Sequence, residues 1–276
     1  ITVTPVNDQP VANSQSVTTQ QDTALAITLS GSDVDGDPLT YSIVTSPSHG
    51  SLSGTGPSLT YTPASGYTGS DSFTFKVNDG NLDSNPATVS ITVNPAGPVT
   101  VFSDDFETDK SWTVNPNGTD TATIGQWERG DPQSTDSSGP KQLGTTTSGT
   151  YNLVTGPLAG SNAGSYDIDG GVTTIRSPSF TLPAGKTYTL TLRYYLAHGT
   201  NSSSADFLRV KIVGATTITA LEELGAANDD DAAWATLTYN FSSLAGQTVY
   251  LLIEAADASG ASLVDAAVDD ILISAQ

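Results

Sequence analysis

The sequence predicts an all-β chain built of two β-sandwiches. Apolar and polar residues alternate with a period of two in short runs bounded by Gly, Pro, Asn and Asp, which is typical of half-buried strands. No stretch of useful length shows the 3.6-residue period of an amphipathic helix. Turn signals recur about every ten residues, a spacing typical of packed antiparallel sheets. The clearest predicted strands are 24–29, 72–77, 88–93, 188–195 and 207–213.

Composition excludes several classes of function. The 276 residues contain no Cys, so disulfide scaffolds, zinc–thiolate sites and thiol catalysis are excluded. Lys and Arg number 9 against 29 Asp and Glu, a net charge of −20, which disfavours nucleic acid and anionic membranes as partners. No apolar run is long enough to span a bilayer, so we expect no membrane insertion. We also expect a monomer. Since Met is also absent, we expect a processed chain or a fragment.

Charge and aromatic residues divide the chain into two domains. Residues 1–98 contain eight Asp, one Lys and no Trp, whereas the remainder contains all three Trp. Two prolines and a glycine in 95–98 interrupt any strand, so we place a linker there, between domains 1–94 and 99–276. The opening Ile-Thr-Val repeats the pattern of 91–93, so 1–5 is predicted to be the last strand of a preceding repeat in a tandem array.

One acidic turn carries the most specific chemistry of the first domain. Asp33, Asp35 and Asp37 occupy alternate residues of Asp-Val-Asp-Gly-Asp-Pro, and Ca²⁺ is held by several oxygens that converge from flexible loops. The motif is not an EF-hand, because Pro38 stands where that loop needs Gly. Further oxygens come from Asp8 near the start and Asp79 near the end of the domain. The alternative is that these acids form only Asx turns and solvated loops.

Here the first domain resembles the bacterial cadherin-like modules that recur in tandem in adhesins and secreted enzymes. The resemblance covers 6–93 and rests on four segments. These are Val-Asn-Asp-Gln-Pro at 6–10, Asp-x-Asp-Gly-Asp-Pro-Leu-x-Tyr at 33–41, 59–73 with its Tyr-Thr-Pro and Gly-Tyr-Thr-Gly, and Val-Asn-Asp-Gly at 77–80. It implies an immunoglobulin-like sandwich with Ca²⁺ near an interdomain boundary.

The second domain resembles the MAM-type jelly roll. The landmarks are Phe-Ser-Asp-Asp-Phe-Glu at 102–107, Gly-Gln-Trp-Glu-Arg-Gly-Asp-Pro at 125–132, Ile-Arg-Ser-Pro at 175–178 and the terminal Val-Asp-Asp-Ile at 268–271. Animal MAM domains usually contain cysteines, so the likeness is to bacterial relatives, in particular to the domains appended to secreted zinc carboxypeptidases. In that family the module is an accessory to the enzyme.

A second cation site is predicted where the first and last strands of the second domain meet. Strand alternation places Asp105 and Glu107 on one face, and only one of Asp269 and Asp270 shares it. We favour Asp270, and Asp131 is a further ligand from a loop. The alternative is a carboxylate held by hydrogen bonds alone, which joins the two ends of the domain without metal.

Catalysis is not indicated. The only histidines, His49 and His198, fall in different domains, and the common metallopeptidase, serine hydrolase and nucleotide-hydrolase motifs are absent. Neighbouring acids at 222–223 and 229–231 are typical of solvated loops rather than of a glycosidase pair.

Binding, spacing or both therefore remain as functions. We expect a calcium-binding spacer and recognition module of a larger secreted or cell-surface bacterial protein, with protein or polysaccharide partners outside the cell. The alternative is a carbohydrate-binding module that targets an exported hydrolase to its substrate. Its candidate stacking residues would be aromatic, since flat rings stack on sugars; they are Trp112, Trp127, Trp234, Tyr194 and Tyr195.

Overall fold

The computed structural model describes residues 6–136, 140–156, 168, 170–227, 231–257 and 264–276, and the predicted repeat tail 1–5 lies outside them. The chain divides into two compact units, Ile1–Gly97 and Pro98–Gln276. The described residues form strands, turns and loops, and none of them belongs to a helix that is long and apolar enough to cross a membrane.

The first unit consists of two facing sheets and one short strand pair. Its strands are β1 (Val11–Ala12), β2 (Gln15–Gln20), β3 (Leu25–Thr28), β4 (Gly31–Ser32), β5 (Thr40–Thr45), β6 (Gly50–Thr55), β7 (Ser58–Pro63), β8 (Gly69–Asn78) and β9 (Ala87–Asn94). One sheet has the order β2-β9-β8-β5, the other β3-β7-β6, and β1 pairs with β4. The first long strand, β2, runs parallel to β9, whereas the other ladders are antiparallel.

Strict alternation builds the core of this unit. Every second residue of β9, from Ala87 to Val93, is buried, while its neighbours face solvent. Phe73, Phe75 and Val77 of β8 supply the adjacent row, and Tyr61 of β7 closes the core from the other sheet. Period-two burial of this kind is what a sheet with one apolar face requires.

The second unit is a larger antiparallel sandwich. Its strands are β10 (Val99–Asp104), β11 (Thr113–Val114), β12 (Trp127–Gly130), β13 (Thr135–Asp136), β14 (Pro140–Gln142), β15 (Asn152–Thr155), β16 (Gly171–Arg176), β17 (Phe180–Thr181), β18 (Tyr188–His198), β19 (Phe207–Val213), β20 (Thr217–Leu224), β21 (Ala235–Phe241), β22 (Thr248–Asp257) and β23 (Val264–Ala275). The long strands form two layers, β10-β23-β18-β21 and β16-β22-β19-β20. These two orders are those of a jelly roll, in which the first and last strands are neighbours.

Added strands extend both layers on one side. In one layer, β15 pairs with the start of β23, and β12 pairs with the other edge of β15. In the other layer, β11 pairs with the outer edge of β16. The main core lies between the layers, and a smaller cluster around Tyr195 and Val154 lies on the opposite face of the β18 sheet. The structure thus confirms the predicted all-β class with two β-sandwiches.

Candidate functional site

The acidic turn of the first unit brings three carboxylates together. One oxygen from each of Asp33, Asp35 and Asp37 lies within 4.8 Å of the others. Asp33 organises the turn, because its Oδ1 accepts the backbone N–H groups of Asp35 (3.0 Å) and Asp37 (3.2 Å). Gly36 has a φ of +81°, a left-handed conformation that glycine adopts at little cost and that lets the chain fold back between the two acids.

The second oxygen of Asp33 is the unusual atom of this turn. Oδ2 is buried and has no hydrogen-bond partner. Buried polar atoms are normally paired, and a carboxylate oxygen without a donor keeps its full affinity for a cation. Among the residues that the structure describes, no Lys or Arg forms an ion pair with any of the three acids.

Repulsion between these carboxylates has a definite magnitude. At 4.8 Å, the upper bound on the separation of these oxygens, two unit charges repel by roughly 1 kcal/mol in water and roughly 3 kcal/mol at the effective dielectric constant of a protein surface. A divalent cation bound between the carboxylates replaces this repulsion with attraction. The donor set, which consists only of carboxylate oxygens on one turn, matches the preference of Ca²⁺ for hard oxygen ligands.

Asp8 reaches the same turn through its backbone. Its N–H donates to Oδ2 of Asp35 at 2.9 Å, so the segment that enters the unit lies directly against the acidic turn. The Asp8 side chain is exposed and is available from that position. Asp8 and Asp35 are 27 residues apart in the sequence and are neighbours in the structure, as the predicted ligand set requires.

Asp79 lies outside the three-carboxylate group and has its own donors. Its Oδ1 accepts the N–H groups of Asn81 (2.6 Å) and Leu82 (2.7 Å), and its Oδ2 accepts from Nδ2 of Asn7 (2.9 Å). The Leu82 N–H first, and then the Asn7 amide and the Asn81 N–H, hold the pKa of Asp79 below its ordinary value. The observed role of Asp79 is thus to fasten the entry segment beside the acidic turn.

The predicted cation site of the second unit is built differently from the expectation. Strand β10 ends at Asp104, and Phe106 has a φ of +56°, so 105–107 do not alternate as a strand. Asp105 and Asp270 line one cleft, whereas Glu107 binds backbone N–H groups and Asp131 is exposed in a loop. In the described part of the chain, these acids form no group of three convergent carboxylates.

Asp269 and Asp270 face the same side, which corrects the prediction that only one of them does. The ladder between β18 and β23 shifts register here, since Thr191 pairs with Leu272 but Arg193 pairs with Asp269. Asp270 also has a φ of +49°. A β-bulge of this kind breaks the alternation of side chains, so the two consecutive acids share one partner.

That partner is the loop that follows β14. Oγ1 of Thr147 lies 2.8 Å from Oδ2 of Asp269 and 2.6 Å from Oδ2 of Asp270, and the Thr147 N–H donates to Asp269 at 2.9 Å. Glu107 accepts the N–H groups of Thr150 (2.7 Å) and Tyr151 (2.8 Å) through Oε1. These bonds agree with the hydrogen-bonded alternative, in which the carboxylates join the ends of the unit.

Several buried carboxylates were not singled out in the sequence, and two of them, Asp71 and Asp104, have well-defined donors. Asp71 accepts from Ser48 N, His49 N, Ser72 N and the Tyr61 hydroxyl, all within 3.0 Å. A signal for it existed, because Asp71 occupies the inward row that continues with Phe73 and Phe75. Burial on its own raises the pKa of Asp71, but the donors outweigh burial and hold it below the ordinary value.

Another of these buried carboxylates is Asp104, which is 1% exposed at the end of β10. Its Oδ1 accepts the Phe106 N–H at 3.0 Å, and its Oδ2 accepts from Nε1 of Trp112 at 2.8 Å. No pattern of spacing distinguishes it from its exposed neighbour Asp105.

The aromatic candidates differ in burial. Trp127 and Tyr195 are buried, Tyr194 is half-buried with its hydroxyl 3.5 Å from Glu223, and Trp234 packs edge-on against Tyr195. Trp112 is half-buried between the core and solvent. Tyr195 therefore presents no free face, and Tyr194 is partly exposed.

Of the candidate acid groups, the pair at 222–223 is fully described, and its Glu222 is bound in an ion pair. Oε1 of Glu222 accepts from Nε of Arg209 at 2.7 Å, and 229–230 lie outside the described residues. His49 stacks on Tyr67 in the first unit, and His198 is buried at the end of β18 in the second.

Residues 7–92 match the family model of the bacterial Ig domain. The first unit is an Ig-like module. No curated protein sequence matches this chain.

Solved structures resemble the chain at low identity. The K1 cleaved adhesin domain of Lys-gingipain from Porphyromonas gingivalis aligns with a TM-score of 0.38 and 17% identity, over 63% of this chain and 98% of that one. The CBM22-1 xylan-binding domain of a Paenibacillus barcinonensis protein aligns with a TM-score of 0.35 and 14% identity, over 65% and 96% of the two chains. TM-scores this low carry no inference about the ligand of this chain.

Proposed function

We propose that this chain is a non-catalytic, calcium-binding accessory fragment of a larger secreted or cell-surface bacterial protein. Its first unit is a spacer stiffened by Ca²⁺, and its second unit is a recognition module. The observation that carries the calcium role is the group of Asp33, Asp35 and Asp37, in which one buried carboxylate oxygen has no partner. Asp8 is the proposed fourth ligand, because its backbone already bonds to Asp35.

The proposed mechanical role follows from the place of this turn. A cation held by Asp33 and Asp37 on one side and by Asp8 on the other ties the segment that enters the unit to its body. Asn7 and Asp79 add a second tie beside it. A linker fixed in this way loses its freedom to bend, which is what a spacer requires.

The recognition role is proposed for the second unit on its resemblance to MAM-type modules of exported hydrolases such as zinc carboxypeptidases. The partner would be a protein or a polysaccharide outside the cell. A carbohydrate-binding function is the second candidate. It is favoured by the indole of Trp112, which remains partly exposed while the buried Asp104 fixes its orientation.

The calcium proposal is tested by thermal unfolding in chelator and in millimolar Ca²⁺. A ligand present at about a hundred times its dissociation constant adds about 2.7 kcal/mol to the folded state. For a unit of this size, the expected rise in the melting temperature is roughly 10–20 °C. All three Trp lie in the second unit, so a shift seen by circular dichroism but not by Trp emission belongs to the first.

Substitution then assigns the site. The double variant Asp33→Asn, Asp37→Asn keeps acceptor oxygens for the turn but removes two charges, so it should lose the response to Ca²⁺. Asp83→Asn is the matched control, because Asp83 pairs with Lys76 on the surface of the same unit. A wild-type midpoint that Ca²⁺ leaves unchanged would refute the proposal.

A further inference from the structure

A cleft of about 250 Å³ lies on the side of the second unit where the added strands extend the two layers. β12 ends one sheet and β11 ends the other, and residues of both strands line it. The other lining residues include members of the main core, namely Phe106, Leu153 and Ile175. The edge of the sandwich is therefore open here onto apolar side chains instead of being closed by a strand.

Trp112 forms one wall of this cleft and is held in place. Its Nε1 donates to Asp104 at 2.8 Å, and its ring lies 5.6 Å from that of Phe106 at a tilt of 53°. Asp104 is itself 1% exposed, so the bond is sheltered from water. An indole fixed on one side and partly open on the other is pre-organised, and a ligand that stacks on it loses little conformational entropy of the protein.

The polar groups of the cleft complement the aromatic surface. Trp127 lines it with 0% exposure, and its indole Nε1 has no hydrogen-bond partner. Because this nitrogen is itself closed off from solvent, Trp127 belongs to the apolar floor of the cleft and is not a donor to a ligand there. Exposed carboxylates of Asp109 and Glu128 stand at the rim.

The cationic side chains of the cleft already donate hydrogen bonds to groups of this chain. Arg129 donates to the carbonyl oxygens of Phe106 and Glu107 and lies over the ring of Tyr151, and Lys110 donates to the carbonyl oxygen of Ser103. An anionic ligand would thus meet two exposed carboxylates and a chain of net charge −20. The chemistry favours a neutral ligand that has an apolar face and several hydroxyl groups.

We propose that this cleft binds one ring of a neutral polysaccharide. The ring stacks on Trp112, and its hydroxyl groups donate to Glu128 and Asp109. The volume is below the range of roughly 300–1,000 Å³ that pockets for drug-sized ligands occupy, which fits one ring better than a longer segment. The inference rests on the proposed recognition role and specifies its ligand class and its location.

The test is affinity electrophoresis of the full chain in native gels that contain a neutral β-glucan, a galactomannan or a xylan, with a gel that contains no polysaccharide as the reference. We expect retardation in at least one gel. Trp112→Ala should weaken binding at least about tenfold through loss of the stacking surface, and Trp234→Ala, a matched indole outside the cleft, should leave it unchanged.

A second pair of variants changes only exposed side chains, so that the packing of the core is kept. Glu128→Ala changes an exposed rim residue and should weaken binding severalfold, whereas Glu223→Ala, an exposed carboxylate on β20, should not. Trp emission should also change when a soluble form of the polysaccharide that retards the chain is added, since two of the three Trp line the cleft.

The outcomes separate the site from the function. Retardation that persists in both Trp112→Ala and Glu128→Ala would overturn this site and leave polysaccharide recognition standing. The absence of retardation of the wild type in every gel would overturn both the site and the carbohydrate role, while the calcium proposal, tested by melting of the first unit, would be unaffected.

Discussion

Removal of the Asp71 carboxylate should destabilise the first unit far more than removal of an exposed acid. In Asp71→Ala, the N–H groups of Ser48, His49 and Ser72 and the hydroxyl of Tyr61 all lose their acceptor. The Tyr61 bond is buried and the three backbone bonds are partly buried, and a buried group left unsatisfied costs about 1–3 kcal/mol.

Water lowers this total. Asp71 lines an open groove of about 450 Å³ together with Ser48 and His49, so solvent can reach part of the vacated position. We therefore expect a loss of about 3–5 kcal/mol in the free energy of unfolding, which is the range for a broken buried polar network. This is a large share of the 5–15 kcal/mol that stabilises an ordinary domain.

The assay is urea unfolding followed by two probes. Far-ultraviolet circular dichroism reports both units, whereas Trp emission reports only the second. Asp71→Ala should move the first-unit transition to lower urea and leave the Trp transition in place. Asp83→Ala is the control, since its surface pair with Lys76 contributes at most about 1 kcal/mol. Equal shifts in the two variants would refute the reasoning.

Two further predictions concern the second unit. Burial raises the pKa of Asp269 above its ordinary value, so its contribution to stability is complete below about pH 4 and is lost as the pH rises through the raised pKa. Asp269→Asn should flatten this dependence in Trp-detected melting between about pH 4 and 7, and an unchanged slope would contradict the assignment. Glu107→Ala should cost about 1–3 kcal/mol through the lost bonds to Thr150 and Tyr151. Glu107→Gln, which keeps an acceptor oxygen, should cost less in the same urea titration, and equal losses would show that these bonds contribute nothing.

The features that sequence reasoning predicted well are those set by neighbouring residues. Alternation located β9 to within one residue at each end, because every second side chain of this strand is buried. The acidic turn was also predictable, since Asp33 bonds to Asp35 and Asp37 in the same loop.

The features that it missed depend on distant segments. Thr147 and Asp269 are 122 residues apart in the sequence, so no local pattern predicts the hydrogen bond between them. The bulge at Asp270 depends on the register between β18 and β23, which alternation within one strand does not reveal. Asp71 carried a signal, a charge within an apolar row, but its donors at 48 and 49 become apparent only when the sheets are assembled.

The direction of the terminal strands gives the two units opposite responses to tension along the chain. In the first unit, β2 and β9 run parallel over six residue pairs, from Gln15 opposite Val89 to Gln20 opposite Asn94. Opposed pulls on the two strands load all of these hydrogen bonds together in shear.

In the second unit, β10 and β23 run antiparallel, and Val99 lies opposite Ala275. A force applied at these two neighbouring residues breaks the hydrogen bonds of the ladder one after another. Under a stretching force the second unit should therefore open first, while the first unit continues to bear the load.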